Sequence, residues 1–211
     1  MTESANSPSD QHIVLLGRIC ELCYDGITCL DRVPFEAYYY ENKEFEDATL
    51  GQHYSSICDR IYCLLDGINH GTIHYDHRKR NKKLERDLNA CRTFLNNVIH
   101  NVQKIVNIDI TSPIIIKETM TINGDECTVH STIERELVEC CNYMVHHLAF
   151  IRLILFSMGF ALDDMLGIAP ASVIYHRSKL APQQLDELLE YNRRIHTPST
   201  NHAPQPQTAD V

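Results

Sequence analysis

Apolar positions recur with a period near 3.6 in several stretches of this chain, and each such stretch predicts an amphipathic helix. Over 11–30 the stripe is Ile13, Leu16, Cys20, Cys23, Ile27 and Leu30. Over 50–69 it is Leu50, Ile57, Ile61, Leu64 and Ile68, and Thr49 stands where an N-cap belongs. Over 84–106 it is Leu84, Leu88, Cys91, Leu95, Val98, Val102 and Ile105. A fourth helix is predicted over 132–159, ending near Gly159, and a short final one over 182–194. Between the third and fourth helices the period changes. Ile114-Ile115-Ile116 and Met120-Thr121-Ile122 read as strands, and Asn123-Gly124 is a two-residue hairpin signal. Segments 31–47, 74–83 and 160–181 read as connections. The expected fold class is mainly all-α: an up-down four-helix bundle with a crossover and a small β-hairpin before the last long helix.

Composition sets the frame for one domain over 11–195. The chain has 211 residues, 44% hydrophobic and 22% charged, which suits a soluble globular protein with a real core. Residues 1–10 are rich in Ser, Asn, Pro and Asp and residues 196–211 in Pro, Thr and Gln, and both ends are expected to be disordered. A net charge of −9 argues against a nucleic-acid partner. The basic run His77, Arg78, Lys79, Arg80, Lys82 and Lys83 has no interleaved aromatics and reads as a solvated loop. The first residues show neither a basic nor an apolar targeting region. The apolar run over 148–161 is broken by Arg152, Ser157 and Gly159, too short to span a bilayer. The expectation is a cytoplasmic protein with reduced thiols and no membrane partner.

Twelve His and nine Cys invite a metal reading. Position thins it. Cys20-x-x-Cys23 has no second pair and sits in a helical stripe, so it reads as packing, as do most of the cysteines. His12, His74, His77, His196 and His202 fall in expected loops and ends. Turning 100° per residue, Cys140, Tyr143, Met144, Ile151 and Ile154 lie within about 60° of His147, and His146 lies towards the flank. On the second helix His53, Ile57, Arg60 and Leu64 share a stripe with Ser56 at its edge. Two helices thus offer His53, Ser56, Arg60, Tyr143 and His147 to one interior region, where bundles build cofactor and metal sites.

The stretch TLGQHYSSICDRIYCLLDGINHGTIHYDHRKRNKKLERD (49–87) resembles the DinB/YfiT-like family of metal-dependent proteins. So do RELVECCNYMVHHLAFIRLIL (135–155) and LGIAPASVIY (166–175), in the family's order. The resemblance implies a four-helix bundle holding one divalent ion, Zn or Ni, on three His: one from the second helix and an H-x-x-x-H pair from the last. Some members are thiol-dependent transferases or isomerases, and many have no known activity. This chain departs from the pattern at the site. The first His of the last-helix pair falls on Tyr143, leaving His147 with His146 beside it. On the second helix His53 matches a family His, while two further His columns fall on Ser56 and Arg60.

Three imidazoles make a tight open site, and two make a weak one unless a carboxylate or tyrosinate joins. A guanidinium at Arg60 would oppose the cation, since Arg does not deprotonate. The leading expectation is a bundle protein with a degenerate metal site that binds no cofactor and serves small-ligand or partner binding. There Ser56, Arg60 and Tyr143 would be ligand-contacting residues. The alternative is a metal-dependent enzyme of thiol transferase or hydrolase type, with one Zn or Ni on His53 and His147 plus Tyr143 or His146. Beside both stands a plain structural role. His53 and His147 become satisfied core histidines, Tyr143 bonds His53, Ser56 or Arg60, and Arg60 pairs with Asp59, Glu136 or Glu139 or binds an anion. A homodimer is left open, and no small-molecule ligand is named by the sequence.

Overall fold

The computed structural model describes residues 10–77, 81–160 and 165–180 with Gln183, Gln184, Asp186, Glu187 and Glu190, and of Gln103 and Lys104 the backbone alone. The chain divides into two compact units, residues 1–169 and residues 170–211. The first is mainly helical with one small sheet. Its four long helices are α1 (Asp10–Leu30), α3 (Leu50–His70), α5 (Leu88–Asn101) and α6 (Ile133–Ser157). α3 packs on α6 and α5, and α1 packs on α5 and α6. The stripes explain this pairing. Leu16, Ile19, Leu22, Cys23, Leu30, Ile57, Ile61, Leu64, Leu95, Val98, Met144, Leu148, Ile151 and Ile154 all bury in one core. Ile13 is an exception: it is exposed, and Ile19 and Leu22 take the inner positions.

Caps set the helix ends as read. The Thr49 hydroxyl accepts from the Gln52 amide while the Gln52 side chain accepts from the Thr49 amide, closing both ends of a capping box. α3 stops at Gly71, φ 72°. α6 starts at Thr132, whose hydroxyl accepts from the Arg135 amide. The 31–47 connection carries a short helix, α2 (Phe35–Tyr38), and Tyr38 is fully buried with its hydroxyl donating to the Leu84 carbonyl at 2.6 Å.

Three further places in the first unit differ from the sequence expectation. The third helix is broken into α4 (Lys82–Arg86) and α5, and a 3-10 turn over Val102–Ile105 follows. Asp87 is extended, and its carboxylate caps α5 by accepting from the Ala90 amide at 3.0 Å. The helical stripe survives the break, since Leu84, Leu88, Cys91, Leu95 and Val98 remain buried. Second, the hairpin is longer than its turn signal. β2 (Pro113–Thr119) pairs antiparallel with β3 (Glu126–Thr132), so Met120 to Ile122 belong to the turn. There the Thr121 hydroxyl donates to the Asp125 carboxylate and accepts from the Asp125 amide, and these bonds override the tighter Asn-Gly turn. Third, Thr72–His74 is a strand, β1, parallel to β2, where the sequence predicts no strand and His74 opens the 74–83 connection. The sheet order is β1-β2-β3.

The second unit is described at α7 (Pro170–Arg177), inside a stretch expected to be loop. The final helix expected over 182–194 falls mostly outside the described residues, as do the 196–211 tail and residues 1–9. Among the described residues, α6 is the one helix long and apolar enough to cross a membrane by length and composition. Its buried face, Leu137, Met144, Leu148, Ile151 and Ile154, is part of the protein core, and it carries Glu134, Arg135, Glu136, Glu139 and Arg152.

Candidate functional site

The α3–α6 contact brings His53 and His147 together. His53 lies on the first turns of α3, and His147 lies midway along α6. Their Nδ1 atoms are 2.9 Å apart, so one ring donates and the other accepts. Both are half-buried. The Phe150 ring stacks on His53 at 5.2 Å and 10° and shields one face of it. Tyr143, one turn before His147, lays its ring 4.5 Å from that imidazole. His146 is exposed and meets His147 and Phe150 edge-on, at the flank where the helical arithmetic put it.

Burial, and secondarily His146, pull the His53 pKa below the ordinary histidine value. The folded chain therefore binds this proton less readily than the unfolded one. The stability His53 contributes is present above the unfolded pKa of about 6.5 and is lost as pH falls below it towards the folded value. Denaturant unfolding at pH 7.5 and pH 5.5 is expected to show a smaller drop in His53→Gln than in the parent. An equal drop would place the titration elsewhere.

Arg60 stands two turns after His53, 8% exposed. The sequence leaves Arg60 to bind an anion or to pair with Asp59, Glu136 or Glu139; the structure gives it two aromatic rings and the Glu118 carboxylate. Its guanidinium lies 3.2 Å over the Tyr75 ring and 5.0 Å from the Tyr143 ring, and it reaches the Glu118 carboxylate at 3.8 Å. Desolvated cation–π contacts of this kind contribute on the order of 2 kcal/mol each. Glu136 is engaged elsewhere: it accepts from the Tyr75 hydroxyl at 2.8 Å and from Ser131 at 2.7 Å. Glu139 pairs with Arg135. Burial pushes the Tyr75 phenol up against the pull of Arg60, so Tyr75 remains a neutral donor. The ion-pair partner of Arg60, Glu118, comes from β2, which is why helical spacing alone did not find it. Ser56 is half-buried on α3 between His53 and Arg60, and the structure does not draw it into this ladder.

The chemistry follows from that order of groups. His53, His147, Tyr143, Arg60, Tyr75 and Glu136 form a polar ladder through the α3–α6 interface. Two imidazole nitrogens point at one another, the next group is a phenol ring, and the one beyond is a fixed cation. Two imidazoles do not make a three-imidazole metal centre, and the fixed charge beyond them has the wrong sign to sit beside a cation. The thiol that shares the His147 face is held protonated: burial pushes Cys140 well above the ordinary thiol value, and Cys29 and Cys141 up to about 11.

A second group of ligand-type side chains lies away from the ladder. His74, His77 and Glu126 hold their ligand atoms within 4.8 Å of one another. Sequence spacing left His74 and His77 in a loop because β1 is short and pairs with a strand some forty residues on.

No family profile matches the chain, and no solved structure does. FK506-binding protein 5 of Rhizopus delemar is 24% identical over 102 residues, 48% of this chain. The match spans about a quarter of that relative, 26% of its length.

Proposed function

We propose that this chain is a DinB-like helical-bundle protein whose metal site has been reduced to a pair of histidines. Its working form is metal-free at His53 and His147, and it acts in the cytoplasm as a small-ligand or partner-binding module rather than a metal-dependent catalyst. The observation that carries the reading is Arg60, a buried guanidinium held between the Tyr75 and Tyr143 rings on the His53 side of α3. A cation fixed there disfavours a divalent ion next to it, and the imidazole pair is satisfied without one. The four long helices and the ordered family-like segments support the bundle part of the reading.

The test is elemental analysis of the full chain purified without a histidine tag, beside His147→Ala. The expected result is the same Zn and Ni content in both. About one Zn or Ni per parent chain that is lost in His147→Ala would overturn the proposal in favour of a metal-dependent enzyme.

A further inference from the structure

We propose that His74, His77 and Glu126 form a binding site for one zinc-type divalent cation on the outer face of the sheet. It is separate from the His53–His147 pair and independent of the function proposed above. Each ligand is placed by a different element. His74 ends β1 and lies opposite Lys117 of β2. Glu126 begins β3 and lies opposite Thr119. Ile73, Ile114 and Ile116 fill the inner face, so alternation along the strands turns His74, Lys117, Thr119 and Glu126 to the other side. His77 follows in the turn after β1.

That turn is fastened at both sides of its apex. Tyr75 points into the protein, buried beneath Arg60 and bonded to Glu136. The Asp76 carboxylate accepts from the Thr119 backbone amide. These anchors bring His77 back over His74, with the two rings stacked at 4.9 Å and 9°. The result is the 4.8 Å ligand grouping on a strand platform rather than on a free loop.

A second observation points to a ligand. His74 Nδ1 is buried and has no hydrogen-bond partner among the described residues. A buried ring nitrogen without a partner costs free energy, which coordination or a bridging group removes. The donor set also selects the ion. Two neutral imidazoles and one carboxylate suit Zn, Ni or Cu, while Ca and Mg favour oxygen-rich sites.

The test is titration of Zn alone into the tag-free full chain under reducing conditions. Binding is read by calorimetry, and the histidine ring proton shifts are read by NMR. The expected result is one Zn per chain that moves the His74 and His77 resonances. His77→Gln and Glu126→Gln, both at exposed positions, should each weaken binding roughly tenfold or more while His53→Gln leaves it unchanged. Zn affinity unaltered by His77→Gln and Glu126→Gln would overturn the proposal. So would binding lost in Cys127→Ser instead, since that exposed thiol sits beside Glu126. Retained unfolding midpoints in the variants separate lost ligands from lost folding.

Discussion

Gly51→Ala is expected to destabilise the protein by about 3 kcal/mol, at the upper end of the cost of overpacking a core. A Cβ at this position would overlap the Glu85 carbonyl and press on the Tyr38 ring at 3.0 Å. The Glu85 carbonyl is backbone and cannot swing aside. It is held in place because α4 is clamped: Tyr38 bonds the Leu84 carbonyl, and Asp87 ends α4 and caps α5. Gly51 is thus the close approach that seats α4 on the start of α3, just before His53. For a chain of this size the loss corresponds to a fall in Tm of roughly 6–12 °C. Gly17→Ala is the control of opposite sign. Its Cβ meets nothing within 4 Å on α1, so helix propensity predicts a gain of up to about 1 kcal/mol. Urea unfolding of the two variants reads both effects. A Gly51→Ala midpoint equal to the parent's would show that α4 does not sit against α3 in this way.

The same contact explains which parts of the fold are legible in the sequence. Helix stripes and caps depend on neighbours three or four residues away, and there the reading holds: Thr49 caps α3, and His53 and His147 converge as the helical arithmetic requires. The break at Asp87 is different, because it answers to α3 and Tyr38 and not to its own periodicity. Three-residue β1 carries too short a pattern to be seen, and its pairing with β2 is set across the chain. Most of what the site reading missed descends from that strand. Tyr75 is presented to Arg60 by the turn after β1, and Glu118 reaches Arg60 from the strand β1 pairs with. Sequence spacing identifies which helix faces meet. It does not identify what a sheet at their end inserts between them, so Arg60 is legible as a buried cation but its partners are not.

Tyr143→His is expected to convert the histidine pair into a metal centre. Tyr143 lies one turn before His147 on the same face, with its ring 4.5 Å from that imidazole, so a histidine there would supply the third nitrogen beside His53. The obstacle is Arg60, 5.0 Å from the Tyr143 ring. Its charge is permanent, so the affinity order is expected to be parent, then Tyr143→His, then Tyr143→His with Arg60→Leu. All three are compared in a His77→Gln background, which removes the sheet site from the measurement. Zn at about a hundred times the dissociation constant stabilises the form that binds it by about 2.7 kcal/mol, a rise in Tm of roughly 5–11 °C for a chain of this length. Cobalt in place of zinc adds an optical readout, because a tetrahedral three-imidazole site absorbs in the visible. If thermal shift and cobalt spectrum both stay at the parent's level in the double variant, His53 and His147 do not flank a common ion position. If the rise appears in Tyr143→His alone and is not increased by removing Arg60, then the Arg60 charge does not oppose an ion held by His53, His147 and a histidine at position 143.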